Sequence, residues 1–84
     1  MTDEAELLKR ITVNPAIFGG KPIIRGQRLA VEHVLSMLAA GDTADSLLDA
    51  YDWLERDDIL ACLAYASRMV AGEDVEPAQV SDAA

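Results

Sequence analysis

Three cations stand where they could grip an anion. The stretch GGKPIIRGQR, residues 19–28, carries Lys21, Arg25 and Arg28 and no acid, in an 84-residue chain with a formal net charge of −8. Two guanidinium groups facing each other on a tight ribbon repel, and a phosphate or carboxylate between them removes that cost. Lys21, Arg25 and Arg28 are therefore the candidate anion- or nucleic-acid-binding residues. The competing reading is that each Arg pairs with an acid on the chain's own helices, and fifteen acidic residues make such pairs easy to find. Gly19, Gly20 and Lys21 do not amount to a phosphate loop, because Pro22 stands where that loop needs a hydroxyl; the glycines read as turn residues.

Other reactive residue types give less. His33 is alone, with no second His to share a metal. Cys62 is a single cysteine, which excludes an internal disulfide and a multi-cysteine metal site, and it lies in an apolar helical stripe as a buried thiol. Trp53 reads as a staple between helices, since a lone aromatic makes a poor stacking platform. No nucleophile–base pairing is visible. The expectation is a protein without catalytic residues, metal or cofactor.

Charge is segregated. Residues 9–28 hold five basic side chains and no acid, and the rest hold two basic and fifteen acidic ones. Such asymmetry suggests one face for an anion and another for a cationic partner. No apolar run reaches the roughly 18 residues of a membrane span, and MTDEAELLKR lacks the apolar core of a secretory signal, so a cytoplasmic location is expected.

The elements that must position these residues follow from periodicity. Residues 1–10 read as a short helical or frayed start, and ITV is a β-branched run closed by Asn14-Pro15. PIIRGQRLAV reads as a hairpin with Gly26-Gln27 at its tip, so that Arg25 faces Arg28, Ile24 faces Leu29 and Ile23 faces Ala30. Val31, Val34, Leu35 and Leu38 then recur at helical spacing up to Gly41. Thr43 caps a second helix bearing Leu47, Leu48 and Tyr51. Glu55, Asp57 and Asp58 open a third, with Ile59, Leu60, Leu63, Ala66, Met69 and Val70 as its buried stripe. The expected class is mainly α, a short β-ribbon followed by a three-helix helix-turn-helix bundle. The divisions are 1–10 as an N-terminal segment, 11–72 as the ribbon plus three-helix domain, and 73–84 as an acidic tail.

NPAIFGGKPIIRGQRLAV, followed by LAAGDTADSLLDAYDWLERDDILACLAYA, resembles a small bacterial family catalogued as domain of unknown function 433. The matching positions are Gly19, Gly20, Lys21, Pro22, Gly26, Arg28, Val31, Gly41, Tyr51, Leu54, Asp58, Ile59, Ala64, Tyr65 and Ala66. Gln27 stands where the family usually has Thr, and Asp52 where it usually has Pro. The resemblance implies a homeodomain-like three-helix fold and the role of an antitoxin to a PIN-like ribonuclease toxin.

Together these readings lead to a non-enzymatic antitoxin-like protein that neutralises such a toxin and regulates its own operon. Acidic surface would cover a cationic RNA-binding groove, with Asp74, Val75, Glu76 and Val80 of the tail as toxin-binding anchors; plain disorder is the other reading of that tail. Acids at the start of the third helix would repel phosphates, so operator contact would fall to the basic ribbon. A homodimer joined through ribbons or first helices is expected, because so small a domain has little core to spare. The rival readings are a DNA-binding regulator without a toxin and a dimeric interaction module.

Overall fold

The structure is a computed structural model, and it describes residues 3–73 and 79–80. Its first element is a one-turn helix, α1 (Glu4–Leu8), which buries Leu7. Strand β1 (Ile11–Val13) follows and lies at the centre of a three-stranded sheet. Strand β2 (Ile23–Ile24) pairs antiparallel to it, with Ile11 opposite Ile24 and Thr12 opposite Ile23. Between them Asn14 folds its own chain: its side-chain oxygen accepts the Ala16 N–H at 2.9 Å. A tight turn at Phe18–Gly20 then reverses direction with φ values of +50°, +66° and +86°, which explains the two glycines there.

Three helices complete the fold: α2 (Val31–Ala39), α3 (Ala44–Ala50) and α4 (Arg56–Val70). Gly41, at φ +105°, ends the first of them. A reciprocal cap starts the second: Thr43 Oγ1 accepts the Ser46 N–H at 3.1 Å, and Ser46 Oγ accepts the Thr43 N–H at 3.0 Å. The molecule is mainly helical, as its periodicity predicts.

The alternation of β2 divides the core. Ile24 points into the principal cluster with Ile11, Val34, Leu47, Leu54, Ile59 and Cys62, whereas Ile23 points the other way, onto Ile17 and Ala30. α4 is the common support, packed by α1, α2, α3 and β1.

Two expectations are corrected. The predicted hairpin keeps its inner contacts: Ile24 donates to the Leu29 carbonyl at 3.1 Å, and Ile23 bridges Ala30. Its tip differs. Gln27 donates to the Ile24 carbonyl at 2.8 Å, so Arg25 and Gly26 are the central residues, at φ +45° and +71°. Positive φ at both positions is the habit of a type I′ turn. Arg25 therefore does not face Arg28 on a strand. The second correction concerns the tail. Gln79 and Val80 form strand β3, parallel to β1, with Thr12 opposite Gln79 and Val13 opposite Val80. No helix among the described residues is long and apolar enough to cross a membrane.

Candidate functional site

Asp58 lies three residues beyond Glu55, the residue that opens α4. Helical spacing puts it on the stripe that continues through Cys62 and Tyr65, so its carboxylate turns inward and is fully buried. A buried charge is tolerable only when every oxygen is satisfied. Here the backbone N–H of Glu55 donates to Oδ2 at 2.9 Å. Arg25 adds a fork, with Nε donating to Oδ1 at 2.9 Å and Nη2 to Oδ2 at 2.7 Å. Arg10 Nη1 donates to Oδ1 at 3.0 Å and also to Glu55 Oε1 at 2.6 Å.

Three separate elements thus converge. Arg10 comes from the link between α1 and β1, Arg25 from the turn after β2, and Asp58 from the first turn of α4. The Arg25 backbone N–H donates to the Arg10 carbonyl at 2.8 Å, and Gly26 N–H to Thr12 Oγ1 at 2.9 Å, which locks the turn onto β1. Arg25 Nη2 also donates to the Trp53 carbonyl at 3.0 Å, and its guanidinium lies 5.7 Å from the Trp53 ring centre. Trp53 meets Tyr51 edge-on at 6.3 Å. The indole thus covers the latch in the turn between α3 and α4.

The electrostatics match the geometry. Burial pushes the Asp58 carboxyl up, but hydrogen bonds from Arg25, the Glu55 N–H and Arg10 outweigh it and hold the group below its ordinary 3.8. The Asp58 hydrogen bond in turn raises Arg25. Cys62 lies fully buried nearby, and burial together with the Asp58 charge pushes its thiol up to about 12. A thiol so protonated is no nucleophile at neutral pH. The Asp58 carboxylate has its donors fixed, so its work is to fasten the β-ribbon to α4.

The remaining candidates are placed as follows. Lys21 binds Glu32 at 2.6 Å. Arg28 is exposed and carries no ion pair among the described residues, so only one of the three ribbon cations is unpaired there. Asp74, Val75 and Glu76 lie outside the described residues, and the backbone of Val80 is in β3. The sequence suggests that the first turn of α4 is exposed throughout, and the structure corrects this: Glu55 is exposed, Asp57 is half-buried beside Arg10 at 3.8 Å, and Asp58 is enclosed. His33 packs edge-on against Phe18 at 5.4 Å.

Two features escape the sequence reading. One is Arg10, which two interactions tie to α4 across more than forty residues of chain. The other is an apolar groove of about 250 Å³ between α2 and the end of α4. A set of acids is legible in the sequence: Asp42, Asp45, Asp49 and Asp52 recur at helical spacing along and beside α3, all exposed, and Asp45 is paired with Arg56 at 2.6 Å.

Comparison with known proteins places this arrangement. A family model described as "Protein of unknown function (DUF433)" matches residues 11–66, which span β1 through most of α4. The chain is also similar to "Uncharacterized protein y4eO" of Sinorhizobium fredii (strain NBRC 101917 / NGR234), at 33% identity over 66 residues. That match covers 79% of this chain and 30% of the relative, so the chain spans under a third of the relative's length. No solved structure matches the chain.

Proposed function

The chain belongs to the DUF433 family, and from that premise we propose that it is a non-enzymatic antitoxin-like protein whose acidic surface blocks a cationic RNA-binding face of a PIN-like ribonuclease toxin. The observation that carries this reading is how the charges pair. Each described cation except Arg28 is bound to an acid of the same chain, while Asp3, Asp42, Asp49 and Asp52 have no ion pair among the described residues. What faces solvent is therefore anionic, and anionic protein surface can stand in for RNA phosphates on a basic groove. Residues 73–84 carry Glu73, Asp74, Glu76 and Asp82 and no basic side chain.

In this reading α2, α3 and α4 form a homeodomain-like three-helix unit with α3–α4 as its helix-turn-helix, the protein works in the cytoplasm, and a homodimer forms across the ribbons or across α2. DNA recognition as the main task has less support. The Arg25 guanidinium is committed to Asp58 and the N-terminal turn of α4 is acidic, which leaves Arg28 to meet phosphates.

The test is co-expression of the full chain with the product of its adjacent gene, followed by purification and an RNA-cleavage assay. The expected result is a stable complex, with cleavage suppressed in proportion to added protein. A steeply salt-dependent shift of operator DNA, with no complex and unchanged cleavage, would overturn the reading in favour of a DNA-binding regulator.

A further inference from the structure

The start of α2 lies beside the end of α4, and between Val31 and Leu35 on one side and Tyr65, Met69 and Val70 on the other runs a groove. The apolar residues there stay uncovered: Val70 is 89% exposed and Met69 52%. With Val31 and Leu35 of α2, and with Ala66, they line the groove. The apolar strip continues along α4 through Leu63 and Leu60, both well exposed. At about 250 Å³ the groove falls short of the roughly 300–1,000 Å³ usual for small-molecule sites, and it is open along one side. That shape suits a few side chains presented by a helix laid into it, reading as anchors at i, i+3 or i+4, and i+7.

Charge decides which helix. The cations near the groove are already occupied. Lys21 holds Glu32 at 2.6 Å, and Arg68 holds Glu4 at 2.8 Å and Glu73 at 3.6 Å. The C-terminal carbonyls of α4 add partial negative charge at that end, where Arg68 is outnumbered by Glu4 and Glu73. A second copy would bring the same acids to the same place, each chain carrying −8.

We propose that the groove between α2 and α4 seats an amphipathic helix of a partner protein, with apolar side chains in the groove and Lys or Arg flanking them toward the C-terminal end of α4. This deepens the partner-binding reading above, which it takes as its starting point. It assigns the affinity to an apolar anchor and leaves orientation to the acids around it.

The experiment places p-benzoylphenylalanine at Leu63 in the full chain, co-expressed with the product of the adjacent gene. Irradiation should link it to that protein, and mass spectrometry should place the link in a segment of helical apolar spacing flanked by Lys or Arg. Val70→Glu should cut the yield about tenfold and Val70→Lys further still, with melting unchanged because Val70 is exposed. A link to a second copy, to the chain's own tail or to a segment without basic flanks would overturn the proposal, and so would no link at all or the reverse order of the two Val70 variants. A nuclease caught only by a second probe at Asp49 leaves the antitoxin reading standing and removes the groove. A basic helix caught in the groove on a protein without RNA cleavage does the opposite.

Discussion

Arg25 holds a left-handed backbone, φ +45°, where a residue with a side chain is strained by roughly 1–2 kcal/mol. Its fork onto the buried carboxylate of Asp58, 33 residues away, offsets that strain. Removing one member of a buried pair leaves the other uncompensated, so Asp58→Ala should cost about 3–5 kcal/mol, a large share of the roughly 4–13 kcal/mol expected at about 0.05–0.15 kcal/mol per residue. Arg28→Gln should leave the urea midpoint unchanged. Arg25→Gly should destabilise the wild type but stabilise the Asp58→Ala background, because there the strain remains and the fork does not. Urea melts of the four variants decide this, and the same sign in both backgrounds would show that the latch does not hold the turn. Arg28→Gln is also the clean probe of anion binding, since any change at Arg25 confounds binding with folding. The burial of Asp58 was legible in part. Its spacing to Cys62 and Tyr65 and the E-x-x-D pattern ending on it were in the sequence, but an acid in the first turn of a helix reads by default as a solvated charge suiting the dipole. Nothing local marks Arg25 as left-handed, because the group that makes that conformation tolerable lies on another element.

Among the elements, helices are more legible in the sequence than strands. The 3.6-residue period of α2 and α4 fixes their extent, and glycines at 41 and 72 mark their ends with φ of +105° and +81°, but the face that α4 buries is Asp58, Ile59, Ala61 and Cys62, while Leu60, Leu63, Met69 and Val70 of the expected stripe are exposed. Strands of two and three residues have too little period to fix where pairing stops, which is why the ribbon's inner contacts were legible and its tip was not. The pairing of β3 with β1 had no signal at all, since parallel pairing across the whole chain is a tertiary matter. α3, at seven residues, is too short to hold its shape unaided, and so depends on its cap. Thr43→Ala should cost about 1 kcal/mol, within the 0.5–2 typical of a lost N-cap. Thr43→Ser should restore the loss. Hydrogen exchange should show the cost concentrated in the amides at the start of α3; a loss spread evenly over the chain would mean that the cap does not act locally.

For the molecule as a whole, the same latch and core set the limits in pH. Asp58, Glu4 and Glu32 all titrate below their ordinary values in the folded protein, Asp58 through Arg25, the Glu55 N–H and Arg10, Glu4 through Arg68, and Glu32 through Lys21. A carboxyl with a lowered folded pKa lends stability that is complete above its unfolded value, 3.8 for Asp58, and lost as pH falls toward the folded one. Cys62 works in the opposite sense. Its folded thiol is raised from 9.0 to about 12, so its contribution is complete below 9 and fades as pH climbs between the two. The arginines are raised further from neutrality and do not change charge in this range. The urea midpoint should therefore be nearly level from about pH 5 to 8, fall below about 4, and fall again above about 9, by up to ~1.4 kcal/mol per unit for the Asp58 proton in acid and for the Cys62 proton in alkali. Each limb has its own variant. Asp58→Asn should lower the plateau yet converge on the wild type in acid, where both carry a neutral group. Cys62→Ala should flatten the alkaline limb and leave the acid one in place. Midpoints measured from pH 3 to 10 for the three proteins test both limbs separately. An Asp58→Asn profile that stays parallel to the wild type down to pH 3 would mean that the buried carboxylate, for all its four donors, is not the group through which acid unfolds the protein.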